Sequence, residues 1–182
     1  MQSFVKARKT GGQMNQNIIL IGFMGSGKTC VGEALAKRLL YRFQDTDQLI
    51  EQRAGCTIND IFEKYGEGYF RMMETNLLME FQSSLERTVL SSGGGLPMRE
   101  KNVQLLQSLG VIVYLKAAKN TLKNRLLTDN LRPLLKGEAL DIRIEKMLSI
   151  REPIYESVSQ LKVVTDKKNI DQVVNLIIDV LT

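Results

Sequence analysis

The stretch Gly22-Phe23-Met24-Gly25-Ser26-Gly27-Lys28-Thr29 constrains this chain more than any other feature. It satisfies the pattern GxxxxGKS/T and lies between a short apolar, β-branched run at residues 17–21 and a segment from Gly27 to Leu40. In that segment Val31, Ala34, Leu35 and Leu39 recur at helical intervals. Strand, glycine loop, helix is the context in which this pattern holds phosphate. The glycines let backbone N–H groups turn inward around phosphate oxygens, and the helix N-terminus adds the positive end of its dipole. Lys28 can then reach the β and γ phosphates, and the Thr29 hydroxyl can ligate magnesium. A glycine turn beside an ordinary surface lysine would match by chance in roughly one chain in a hundred, taking glycine at about 7% of residues. The flanking strand and helix weaken that account further. The loop does not read GxGxxG, so a dinucleotide fingerprint is not supported. Neither NKxD nor DxxG occurs, which sets GTPases aside and leaves small-molecule kinases and other ATPases.

The rest of the composition narrows the chemistry. No histidine occurs, so histidine nucleophile activation, general-base chemistry and metal ligation are excluded together, and any metal must sit on oxygen. Cys30 and Cys56 lie far apart with no CxxC spacing, which suits a reduced, cytoplasmic setting. A formal charge of +5 and a pI of 9.2 suit anionic ligands without distinguishing them from nucleic acid. The apolar runs are strand-sized, so no membrane association is expected. Residues 1–16 read as a disordered basic extension, and the 182-residue chain, 43% hydrophobic, then leaves one domain over residues 17–182.

Further strand candidates are residues 42–46, 88–91, 111–115 and 161–165, each separated from the next by helix-compatible sequence. Such alternation predicts an α/β fold with a parallel sheet covered by helices on both faces. Residues 48–85 form a long helical insertion expected to break around Gly55 and again at Gly66 and Gly68, and they read as a substrate-binding flap. Residues 128–138 read as a mobile lid. Val173, Leu176, Ile177 and Val180 mark a final amphipathic helix, while Phe62, Tyr65, Met72, Met73 and Met79 read as packing or surface.

Asp45-Thr46-Asp47 closes the second strand candidate, at the edge where open α/β folds bind ligands. In extended chain, positions 45 and 47 face one side, so one carboxylate could hold magnesium while the other meets an acceptor hydroxyl. Equally, Asp47 could simply cap a helix starting at Gln48. Arg71 after Phe70, Arg132 before Pro133 and Arg151 before Pro153 offer planar forks for carboxylate or phosphate, although surface exposure is the ordinary account of each. Gly93-Gly94-Gly95 permits either close approach of a ligand to the backbone or a plain flexible turn.

Taken in order, GFMGSGKT, FQDTD, INDIFEKYGEGYFRMME, SSGGG, VIVYL, LRPLL and REPIY resemble the shikimate kinase family from about Asn17 onward. The resemblance implies a P-loop, nucleoside monophosphate kinase-like fold, with a five-stranded parallel sheet in the order 2-3-1-4-5. It implies ATP-dependent phosphorylation of the shikimate 3-hydroxyl with Mg2+, by a monomer. Gly25, Ser26, Gly27, Lys28, Thr29 and Cys30 would serve the ATP phosphates, with Thr29 and Asp45 on the metal, Asp45 through water. Asp47 would meet the shikimate hydroxyls, Arg71 and Arg151 would clamp its carboxylate, and Gly93, Gly94 and Gly95 would line the pocket. Lys28, Asp47 and Arg132 would be the catalytic set, with Arg132 closing from the lid. Arg125 and Asn169 would contact adenine. A kinase of the same fold acting on another small hydroxy acid, such as gluconate, is the nearest rival. A nucleic-acid-binding module stands further off, because no RNP-like aromatic element occurs.

Overall fold

In β1 (Asn17–Ile21) every residue is buried, and alternate side chains enter opposite halves of the core. Ile19 and Ile21 join one apolar cluster, with Leu90, Ile112 and Tyr114; Ile18 and Leu20 join another, with Val89, Val113 and Val163. A strand can be apolar on both faces only when helices cover both, which requires a parallel sheet with crossovers. The computed structural model, which describes residues 16–128 and 139–181, has that architecture. Five parallel strands run in the order β2-β3-β1-β4-β5, with β2 at Arg42–Asp45, β3 at Thr88–Ser91, β4 at Gly110–Lys116 and β5 at Leu161–Val164. Ile18 sits beside Val89 on one side and Val111 on the other, which fixes the register of the centre.

Helices α1 (Lys28–Leu39) and α7 (Ile170–Leu181) cover one face. Gly32 of α1 lies against β2 so closely that an added Cβ would stand 2.5 Å from the Phe43 ring. The other face is covered by α3 (Ile58–Phe81), α4 (Glu100–Leu109) and α6 (Ala139–Val158). Helices α2 (Thr46–Ala54) and α5 (Lys119–Thr128) follow β2 and β4, and a short 3-10 turn at Leu96–Met98 follows the glycine triplet. Among the described residues, no helix is long and apolar enough to cross a membrane. Residues 1–15 and 129–138, which include most of the expected extension, most of the lid and Arg132, lie outside the described residues.

Two local expectations need correction. The second strand ends at Asp45, and Thr46 already belongs to α2, so Asp45 and Asp47 are not alternate residues of one strand. Asp45 is itself the cap, accepting hydrogen bonds from the backbone N–H groups of Asp47 and Gln48 at 3.0 and 3.4 Å. The insertion breaks at Gly55, which closes α2 at φ 67°, and kinks at Gly66, at φ 79° and ψ 165°. It does not break at Gly68, because one residue in the left-handed region suffices to redirect the helix and Gly68 continues it. In α7, Val173 and Ile177 are buried as the period predicts, whereas Leu176 and Val180 remain substantially exposed.

Candidate active site

The carboxyl ends of β1, β2 and β3 deliver the phosphate loop, Asp45 and the glycine triplet to one edge of the sheet. In the phosphate loop Gly22, Gly25 and Gly27 all have positive φ, at 146°, 79° and 96°. Gly27 caps α1 without a side chain, and the first turn of α1 contains no acidic residue. By contrast, α2 and α3 are capped by Asp45 and by the Thr57–Asp60 pair. The α1 terminus therefore keeps its N–H groups and positive dipole end for an anion. Lys28 donates from Nζ to the carbonyls of Gly22 and Phe23 at 2.9 and 3.1 Å, which lays its charge along the loop. The Ser26 hydroxyl is buried and has no hydrogen-bond partner among the described residues. Cys30, in the first turn of α1, is exposed.

Thr29 donates from Oγ1 to Asp45 Oδ2 at 3.2 Å. A hydroxyl and a carboxylate so placed form an oxygen-only donor pair beside the phosphate loop, which fits magnesium supplemented by phosphate oxygens and water. Arg125 of α5 braces the loop from outside, donating to the carbonyls of Gly25 and Ser26 at 3.1 and 3.3 Å and to Thr165. Asn169 and Gln172 hydrogen-bond reciprocally at 2.9 and 3.0 Å, so the Asn169 side chain caps α7.

The acceptor side gathers around the glycines. A Cβ on Gly93 would lie 2.4 Å from Asp47 Oδ1, and one on Gly95 would lie 2.6 Å from Arg71 Nη1. Gly94 faces Arg151, whose Nη1 is 3.6 Å from the equivalent point. Side chains at Gly93 and Gly95 would collide with the charged groups, whereas a Cβ on Gly94 would press on the Gly22 carbonyl at 3.3 Å and meet Arg151 in ordinary contact, so close approach requires glycine at the two outer positions. The loop is also anchored: the Gly93 N–H donates to Thr46 Oγ1 at 2.8 Å, and the Tyr155 hydroxyl donates to the Gly94 carbonyl at 2.5 Å.

Electrostatics single out a residue that reading the sequence missed. Glu74 is wholly buried and accepts from Arg71 Nη1 at 2.9 Å, while Arg71 also pairs with Glu67 at 2.8 Å. Burial pushes the Glu74 carboxyl up to about 7, and Asp47 adds to that rise, against the pull of Arg71 and Arg99. Its Oε1 has no hydrogen-bond partner among the described residues and lies 3.2 Å from the point where a Gly93 Cβ would stand. Glu74 is three residues after Arg71 and Tyr155 four after Arg151, so helical spacing from the two arginines would have pointed to both.

Comparisons with known proteins agree with this layout. The shikimate kinase family pattern matches residues 24–182. The shikimate kinase of Thioalkalivibrio sulfidiphilus is 43% identical over 158 residues, covering 87% of this chain and 83% of that protein. That of Geobacter sulfurreducens is 40% identical over 159 residues, covering 87% of each. Among solved structures, shikimate kinase from Acinetobacter baumannii in complex with shikimate superposes with a TM-score of 0.86 at 36% identity, covering 93% of this chain and 94% of that one. A gluconokinase from Sinorhizobium meliloti reaches a TM-score of only 0.58 at 21% identity, covering 91% of each chain, and shares the fold alone.

Proposed function

The chain belongs to the shikimate kinase family, and from that premise we propose how its residues divide the reaction. Its activity is shikimate kinase activity: ATP-dependent phosphorylation of the shikimate 3-hydroxyl, giving shikimate 3-phosphate and ADP, on the route to chorismate and aromatic amino acids. The observation that carries the division of roles is convergence. Asp47, Arg71 and Arg151 border three consecutive glycines at the sheet edge that also presents the phosphate loop.

Arg71 and Arg151 take the shikimate carboxylate, because guanidinium forks match that group and the glycines beside them leave no side chain in the way. Asp47 hydrogen-bonds the acceptor hydroxyl and receives its proton as the new O–P bond forms and the bond from the γ-phosphorus to the ADP oxygen breaks. The backbone N–H groups of residues 25–30 hold the phosphates, and Lys28 exchanges its two loop carbonyls for β and γ oxygens. Thr29 and Asp45 would hold magnesium, Asp45 through water, and the ion would supply neutralisation of the β and γ charge. Arg132 closes over the phosphates from the lid. Arg125, with N–H groups engaged by the loop, meets adenine with its flat face, and Asn169, with its side chain at the α7 cap, contributes backbone. Because phosphoryl transfer passes through a loose transition state, positioning and charge neutralisation outweigh deprotonation of the acceptor.

We infer a monomeric enzyme, and the free thiols of Cys30 and Cys56 suit the cytoplasm. The test of the acceptor site is a coupled ADP-release assay with shikimate, gluconate and nucleoside monophosphates in parallel. Turnover with shikimate alone is expected; comparable turnover with gluconate would remove the argument from the two arginines and the triplet.

A further inference from the structure

The two arginines beside the glycine triplet are held differently. Arg71 is fixed by carboxylates, Glu67 and Glu74. Arg151 makes no ion pair among the described residues; its guanidinium lies over the Phe23 ring, 5.9 Å from the centroid, and its Nη1 and the Tyr155 hydroxyl each lie 3.6 Å from the point where a Gly94 Cβ would stand. Tyr155 follows one helical turn later on α6, fully buried, with its ring 5.2 Å from that of Tyr114. Its hydroxyl donates to the Gly94 carbonyl, which leaves its lone pairs available on the side of the loop that Gly94 shares with Arg151. Burial pushes this hydroxyl up to about 12, although both clamp arginines act against that rise, so it keeps its proton and remains a donor throughout the neutral range.

We propose that Tyr155 is a positioning residue for the acceptor, fixing the Gly94 carbonyl and the Arg151 guanidinium relative to one another through a single hydroxyl. With Thr46 holding Gly93, the loop is then fastened at two successive residues by two different helices. A neutral tether suits Arg151 better than a carboxylate would, because it fixes the fork without neutralising the charge that must attract shikimate. The inference rests on the assignment of Arg151 to the shikimate carboxylate.

Tyr155→Phe keeps the ring and removes only the hydroxyl. Steady-state kinetics should show KM for shikimate rising about 3- to 10-fold, the equivalent of one net hydrogen bond, with KM for ATP within about twofold of wild type. An unchanged shikimate KM overturns the proposal, as do two KM values rising together, the signature of general loosening. Arg151→Ala separates the two readings. If it leaves shikimate KM unchanged, the assignment of Arg151 fails; if it raises KM while Tyr155→Phe does nothing, the tether alone fails. Should Tyr155→Phe not fold, the wild-type protein labelled with carbon-13 at the tyrosine ring reads the same contact. Shikimate should shift the Tyr155 Cζ resonance and ATP should not; a resonance indifferent to shikimate overturns the proposal.

Discussion

The phosphate end and the acceptor end of the site occupy one sheet edge but are built on different principles. At the phosphate end the groups proposed to hold the ligand are backbone, drawn from consecutive residues 25–30, and the side chains around them brace the loop: Arg125 outside it, Lys28 along it. At the acceptor end the groups are side chains, carried by α2, α3 and α6 and separated in sequence by up to about a hundred residues, around a turn stripped of side chains. A backbone cradle tolerates loss of any one contact because neighbouring N–H groups remain. A pocket of single side chains has no such reserve, so each substitution there should be felt separately by the acceptor.

The largest effect should come from the one phosphate-end side chain expected to leave the loop for the transferring group. Lys28→Met is expected to lower kcat by about 10³-fold, the scale for removing a donor aimed at developing charge. Stopped-flow and steady-state assays check this, and a loss below tenfold would mean that the backbone cradle carries the transition state alone. Next is Asp47→Asn, expected to lower kcat by about 10²-fold with little change in KM for ATP. If ATP affinity falls in step with kcat, the two ends are not separable.

That division also governs what could be read from the sequence. The loop is local, so its glycines, Lys28 and Thr29 could be placed by spacing, and the alternation of apolar runs with helical patterns gave the parallel sheet. The acceptor pocket is not local. Arg71 and Arg151 could be tied to one anion only through resemblance to a family, since nothing in their spacing says that both meet the glycine triplet. Asp45 and Asp47 were expected to share a strand face; the capping demand of α2 turned the chain one residue earlier and gave each its own place. Glu74 and Tyr155 carry only a weak signal, their helical spacing from Arg71 and Arg151, because a glutamate on a helix is by default exposed and a tyrosine by default packing. Only burial, with Arg71 and Arg151 beside them, distinguishes them.

Arg71→Ala probes the acceptor end without touching the reacting atoms. Loss of a charge-assisted hydrogen bond, about 1.5–3 kcal/mol, corresponds to a rise of roughly 10- to 150-fold in KM for shikimate, with KM for ATP unchanged. The same substitution deprives Glu74 of its bound cation. An equal rise in both KM values would show that the helix, rather than the clamp, had been disturbed.

The smallest expected effect is on stability, and it is a further contrast between the two ends, because among the described residues only the acceptor end contains a buried carboxyl shifted to about 7. The shift is upward from the 4.5 of an ordinary glutamate, caused first by burial. Between those values the folded protein holds a proton at Glu74 that the unfolded chain releases, so this residue's contribution to stability falls as pH rises from about 4.5 towards 7 and is level above it. The first kcal/mol of that loss should lower Tm by about 2–4 °C in a domain of this size. Glu74→Gln keeps the shape and cannot ionise, so the difference in Tm between wild type and variant should change across that pH window and stay constant above it. A difference independent of pH would mean that Arg71 holds Glu74 ionised throughout, and the acceptor end would then be as firmly charge-paired at pH 5 as at pH 8.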